Sequence, residues 1–170
     1  TLFPDIFANH LKHLPLSRAI EKGILQIDFI NLRNFAVDKR GTVDSPPYGG
    51  GPGMILRPEP IFDAVNYALG CCKTKSGRIP QRFEEWEVKP GSRNENTVES
   101  VRAEIIFLTP RGKTYTQATA LQLSTLKNLI IVCGRYEGVD QRVVEYYTDP
   151  NKPIAGVRAE EISIGNYVLS

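Results

Sequence analysis

The chain has 170 residues, 41% of them hydrophobic, and a formal net charge of +2 with both signs spread along its length. That is enough apolar material for one core with a small appendage, and it excludes a disordered tract, a histone-like basic tail and an acidic solvating tail. An RNA partner is permitted by this charge, not demanded.

Three cysteines, Cys71, Cys72 and Cys133, form no CxxC pair and have no accompanying His cluster. They suggest neither a disulfide framework nor a metal site, and a cytoplasmic location is expected. No run of about 18 apolar residues and no charged segment leading into one is present, so neither membrane insertion nor secretion is expected. The only methionine is Met54 and the chain opens at Thr1. A true N-terminus upstream of Thr1 is therefore expected.

In chain order, Ile6, Phe7, Leu11 and Leu14 recur at helical spacing after Pro4-Asp5, and Ser17-Arg18-Ala19-Ile20 extends the pattern towards a stop at Gly23. Residues 24–30 are rich in β-formers with partial alternation and predict a strand. Glycines and prolines make 34–58 a long loop. Residues 60–69 predict a helix with Ile61, Ala64, Val65, Ala68 and Leu69 on one face.

Residues 71–102 break this rhythm. They carry seven basic and five acidic residues around isolated apolar ones such as Phe83 and Trp86, and read as an insertion. Beyond them, 105–108 predict a buried strand, 118–126 a helix and 129–133 a second continuous apolar strand. Such strands linked through helices predict an α/β domain with a parallel sheet covered on both faces, where ligands gather at the carboxyl ends of the strands.

Three carboxyl-end segments carry the informative residues: Phe107-Leu108-Thr109-Pro110-Arg111-Gly112, then Cys133-Gly134-Arg135-Tyr136-Glu137-Gly138-Val139-Asp140, then Ser163-Ile164-Gly165-Asn166-Tyr167-Val168-Leu169-Ser170. Glycine allows backbone to approach a ligand, and exposed N–H and C=O groups can then read an adenine edge or a ribose. Each alone could be a tight strand-to-helix connection; the set of three favours a ligand site. Tyr48-Gly49-Gly50-Gly51-Pro52-Gly53 is not a phosphate loop, because Met54-Ile55 follows where Gly-Lys-Ser/Thr would be required. Gly112-Lys113-Thr114 fails as well, since Phe107 stands where the motif needs glycine.

Arg18-Ala19 near Gly23, Thr42-Val43-Asp44, Pro47-Tyr48-Gly49-Gly50-Gly51-Pro52-Gly53-Met54, Val132-Cys133-Gly134-Arg135-Tyr136-Glu137-Gly138 and Ser163-Ile164-Gly165-Asn166-Tyr167-Val168-Leu169 resemble, in order, the signature of the TrmD family of tRNA (guanine-N1)-methyltransferases. The similarity covers nearly all of the chain except 71–102 and about 150–159, which read as lineage-specific loops. The resemblance implies a SPOUT-type parallel sheet flanked by helices with a C-terminal deep trefoil knot, and a homodimer. It implies S-adenosylmethionine (SAM) as cofactor, with the part of Mg²⁺ left open, and methylation of guanine N1 just 3′ of the tRNA anticodon. Residues 1–170 would be the SAM-binding domain, cut short at both ends, without the C-terminal domain that grips the anticodon stem-loop.

Carried over position by position, Phe107, Leu108, Thr109, Pro110, Gly134, Tyr136, Glu137, Ile164, Gly165, Tyr167 and Leu169 would line the cofactor pocket, and Arg18, Asp44 and Gly53 would meet the substrate. The glycine loop would approach the target guanine. Asn166 stands where the family usually has Asp. Guanine N1 carries a proton at neutral pH, so its methylation needs a base to remove that proton and a cation to stabilise charge growing on O6. In the family an Asp and an Arg beyond the position of Ser170 have those roles; within this chain Glu137 and Arg135 are the candidates. Two other readings are a related enzyme acting on ribosomal RNA, and a non-catalytic RNA-binding or dimerisation module.

Overall fold

The computed structural model describes residues 1–73, 103–151, 154 and 156–166. Tyr167 and Leu169, most of the expected insertion including Phe83 and Trp86, and part of 150–159 lie outside the described residues.

The long N-terminal helix expected from the spacing of Ile6 to Ile20 is instead broken. Helix α1 covers Pro4–Ala8, a 3-10 turn His10–Lys12, and α2 Leu16–Glu21. Pro15 separates them, because it lacks the N–H that a continuing helix would use and disfavours helical backbone at Leu14. Gly23 ends α2 as expected, in the left-handed region at φ +66°. The strand expected at 24–30 does not form. Ile24 and Leu25 N–H both donate to the Ala19 carbonyl (3.0 and 3.3 Å) at the end of α2, and beyond them the Thr1 amino group donates to the Ile30 carbonyl (3.1 Å) and the Thr1 carbonyl accepts from Leu32 N–H (3.0 Å).

The expected loop at 34–58 contains a short antiparallel pair, β1 at Asp44–Ser45 and β2 at Ile55–Leu56. Helix α3 then runs Pro58–Lys73, longer at both ends than its apolar spacing indicated. The expected face is correct: Ile61, Ala64, Val65, Ala68 and Leu69 are all buried. Cys71 is buried too, so residues 71–73 close this helix rather than open an insertion.

The sheet is parallel throughout, in the order β4-β3-β5, with β3 at Ala103–Thr114, β4 at Asn128–Cys133 and β5 at Val157–Ser163. Central β3 is buried on both faces from Ala103 to Phe107. It packs with α3 and with α5 (Gln141–Thr148) into a core that includes Leu56, Ile61, Val65, Ile105, Phe107, Val132, Val143 and Tyr147. Phe62, Tyr146 and Tyr147 stack edge to face at its border, and burial pushes the Tyr147 phenol well above its usual range.

Two expectations about the sheet need correction. Coverage on both faces is incomplete at β4 among the described residues, where Leu129 and Ile131 are 41% and 50% exposed; among those residues β4 lies at the edge of the three-stranded sheet, and helix α4 (Gln117–Leu123) has no buried residue. The segment 150–159 is not wholly a loop, because Val157, Arg158 and Ala159 form the first half of β5 in register with Ala103, Glu104 and Ile105. No helix among the described residues is long and apolar enough to cross a membrane.

Candidate functional site

The parallel register brings the three informative segments together. Leu108 pairs with Cys133 on one side and Ile162 on the other, so the chain leaves β4 and β5 beside the same point of β3. There β3 does not end, as the sequence suggests, but bulges. Ile162 is paired with both Leu108 and Lys113, leaving 109–112 as an excursion that contains Thr109 and Pro110. The Thr109 hydroxyl accepts from Arg111 N–H at 3.0 Å and holds this bulge in shape.

Gly134 faces it. A Cβ there would lie 3.8 Å from the Leu108 carbonyl oxygen and 3.7 Å from Gly138 Cα. Tyr136 and Ile164, in the segments that follow β4 and β5, are both exposed. Tyr136 is the one non-glycine residue with positive φ (60°) among the described residues, an outlier that turns its ring out of the loop. Gly165 accepts from and donates to the Ser163 hydroxyl. Phe107 differs from the expectation: its side chain is 1% exposed and packs on Tyr147, so it supports the site from the core.

The glycine loop is tied to the same place. Gly49, Gly50, Gly51 and Gly53 all have positive φ, which β-carbon-bearing residues rarely adopt. Asp44 and Leu56 close its base across the β1/β2 pair, with Asp44 half-buried. At its far end, Glu137 N–H donates to the Met54 carbonyl (2.9 Å), Leu56 N–H to Gly138 (3.0 Å) and Asp140 N–H to Leu56 (3.1 Å). Gly53 lies directly against the Glu137 side chain. Asp44, Gly53 and Glu137 thus share one junction. Arg18 does not join it; it stands exposed on α2 with no ion pair among the described residues. Arg135 lies over Phe3, with its guanidinium 5.3 Å from the ring centroid.

Sequence reasoning missed the residues that cap α5. Asp140 is buried and accepts from the Arg142 backbone N–H and Nε at Oδ1 (both 2.9 Å) and from Nη2 at Oδ2 (2.8 Å). These bonds hold its carboxyl below the usual range. Arg111, in the bulge, donates to Gln141 and so links the two strand-end loops. The signal was present: Asp140 is a helix-capping residue before Val143, Val144 and Tyr147 at helical spacing. Beside this cap, an open cleft of about 560 Å³ runs between the glycine loop and α5, lined by Pro47, Tyr48, Ile55, Val139, Asp140, Gln141 and Arg142. Among the described residues, no group of three or more His, Cys, Asp or Glu side chains is placed to hold a metal ion.

The chain matches the family model described as tRNA (Guanine-1)-methyltransferase TrmD over residues 1–77 and 87–170. That match runs through 150–159 and much of 71–102, which corrects the reading of both as lying outside the family pattern. Over all 170 residues the chain is 36% identical to the tRNA (guanine-N(1)-)-methyltransferase of Caldanaerobacter subterraneus subsp. tengcongensis, covering 54% of that protein. It is 38% identical to the protein of that name from Geobacillus kaustophilus and 40% to that of a Sulfurihydrogenibium species, covering 54% and 52% of them. The chain spans about half the length of the curated relatives it matches. On this match, which spans nearly the whole chain, the chain belongs to the TrmD family of tRNA (guanine-N1)-methyltransferases.

Proposed function

We propose that the protein carrying this chain uses SAM to methylate N1 of guanine in tRNA, at the position immediately 3′ of the anticodon. The observation that carries this reading is the junction at which the glycine loop, through Gly53 and Met54, is bonded to the strand-end loop at Glu137. A target base brought by the first would meet a cofactor held by the second.

The residues present fit SAM. Gly134, with no side chain beside the backbone of Leu108, and the exposed Tyr136 and Ile164 offer close backbone approach beside apolar faces, as an adenosine needs. Thr109, Pro110, Gly165 and, outside the described residues, Tyr167 and Leu169 complete the proposed pocket. SAM, when bound there, supplies the methyl group. This chain's residues position the reactants: the Leu108 carbonyl and the Gly134 gap hold the adenosine end, Gly53 admits the base edge, and Asp44 sits at the base of the loop that carries it. The proton on guanine N1 must leave for the nitrogen to act as nucleophile. Family resemblance assigns that base, and the guanidinium for O6, to an Asp and an Arg beyond Ser170. Arg135 is committed to Phe3, which supports an anchoring role, and Glu137 is proposed to orient the reacting groups at the junction.

The reading extends to a homodimer in the cytoplasm and to a deep trefoil knot. Support for the knot comes from family membership. The test is a radiolabelled methyl-transfer assay with protein expressed from the complete reading frame. Label should enter a tRNA transcript with guanosine after the anticodon and not one with adenosine there. Label entering ribosomal RNA instead would favour a different SPOUT enzyme, and absence of SAM binding by calorimetry would favour a non-catalytic module. The 170-residue chain alone is expected to bind SAM without turnover.

A further inference from the structure

The segment that leads into β1 has no part in the site just described, yet residues 31–42 carry Arg33, Lys39 and Arg40 with Asp38 as their one acid. All four side chains belong to exposed residues. Among the described residues, none of the three cations has an ion-pair partner.

A run of exposed charge is ordinarily a solvated surface, but this one stands on a built frame. Asp38 Oδ1 accepts from the backbone N–H groups of Arg40 and Thr42 (both 3.0 Å), and Oδ2 accepts from the Thr42 hydroxyl (2.8 Å). The Val37 N–H donates to the Thr42 carbonyl and the Gly41 N–H to the Asp38 carbonyl (both 3.2 Å), closing a turn in which Gly41 has φ +83°. Arg33 braces it from the preceding 3-10 turn (Leu32–Phe35), its Nη1 donating to the Gly41 carbonyl at 3.2 Å. Lys39 and Arg40 are thereby presented from fixed backbone. The acid that would otherwise neutralise them is used inside the turn: its bonds, those from Thr42 foremost, hold the Asp38 carboxyl below its usual range and occupy both of its oxygens.

The turn is also tied to the foot of the glycine loop. Thr42 is followed by Val43 and by Asp44 of β1, and the Val43 carbonyl accepts from Arg57 N–H (2.9 Å), directly after β2. Rigid, unpaired cations beside a loop that receives a base suit the phosphates of the strand carrying that base, which call for positive charge and no base-edge chemistry.

We propose that the 38–42 turn, with Arg33, Lys39 and Arg40 as its cations, binds the phosphate backbone of the substrate RNA next to the target nucleotide. The inference rests on the proposed tRNA methyltransferase function. It assigns the turn to positioning of the strand and leaves base selection to other groups.

The experiment uses the protein from the complete reading frame and tRNA transcripts that differ in sequence around the target. The double variant Lys39→Ala/Arg40→Ala should weaken tRNA binding about tenfold, by the same factor for every transcript, and make the slope of log Kd against log salt shallower by about one to two. SAM affinity and thermal midpoint should not change, and Lys39→Arg/Arg40→Lys should bind as wild type. Asp38→Ala is the decisive arm, because it adds net positive charge while removing the acceptor that shapes the turn. Weaker tRNA binding is expected there; tighter binding would mean that only bulk charge matters and overturns the site. Wild-type Kd and salt slope in the double variant overturn it as well, while leaving the methyltransferase reading standing. Failure of the wild-type protein to bind or methylate any transcript overturns both.

Discussion

Gly53 and Glu137 are in contact across the loop junction: a Cβ on Gly53, whose φ is +95°, would lie 2.6 Å from Glu137 Cγ and 2.8 Å from Oε1. The obstacle is the end of a flexible side chain, so Gly53→Ala can be accommodated only by moving the carboxylate. We expect a stability loss of about 1–2 kcal/mol from the unfavourable backbone angle, and a fall in methyl transfer of at least about tenfold. Glu137→Ala should fall to a similar level and the double variant no further. Additive losses in kcat/KM across this cycle would show that the two residues act independently.

Gly112 and Gly134 should behave in opposite ways. A Cβ on Gly112 would meet backbone at 2.5 Å, which cannot swing aside, whereas one on Gly134 meets nothing closer than 3.7 Å. Gly112→Ala is expected to cost more than about 3 kcal/mol and to yield little folded protein. Gly134→Val should fold, by circular dichroism, yet lose SAM binding by calorimetry. Wild-type SAM affinity in Gly134→Val would remove Gly134 from the pocket.

The Asp140 cap gives a pH signature. Its folded pKa is depressed by Arg142, so its contribution is complete above the unfolded carboxyl value of about 3.9 and is lost as pH falls through the lower folded value. Asp140→Asn keeps a capping acceptor but not the charge. The thermal midpoints of wild type and Asp140→Asn should differ at pH 7 by the equivalent of about 1 kcal/mol, modest because the Arg142 end is solvated, and should converge below pH 4. A gap that persists in acid would show that the charge is not its source.

On the opposite sheet face, Glu160 has the reverse sign. Burial, then a hydrogen bond to the Glu104 carboxyl and its like charge, push the Glu160 carboxyl up; Lys113 and Arg158 oppose this, and Arg158 is bonded to Glu104 at 2.8 Å. A raised folded pKa stabilises below the ordinary value of 4.5 and loses that contribution as pH rises through the folded value. Glu160→Gln, which can donate to Glu104 without a borrowed proton, should raise the thermal midpoint by about 2–4 °C at pH 7 and have no effect at pH 4. A midpoint lowered at neutral pH would refute the pairing.

What could be read from the sequence depended on whether the determining contact was local. The α3 face from Ile61 to Leu69 follows from spacing alone, and the parallel sheet from the apolar runs at 105–108 and 129–133. The break at Pro15 was readable as well, though the apolar spacing of Leu11, Leu14 and Ile20 masked it. By contrast, residues 24–30 have strand composition but form no strand among the described residues, and composition does not report which segments pair. The β3 bulge arises because Ile162 pairs twice, a long-range fact. In the site, motif order grouped Gly53 with Glu137, and the two are in contact. It could not show that Phe107 turns into the core, that Arg135 is spoken for by Phe3, or that Arg18 stands apart, since each depends on residues remote in sequence.

The three backbone bonds that join Met54, Leu56, Glu137, Gly138 and Asp140 have a thermodynamic consequence. They make the glycine loop and the strand-end loop one mechanical unit, so a ligand that orders either one removes conformational freedom from both. The second ligand then meets a loop already narrowed to its binding form, and the entropic cost of its own association is smaller. Cofactor and RNA should each raise the other's affinity by the same factor, as linkage requires, without any rearrangement of the sheet beneath them.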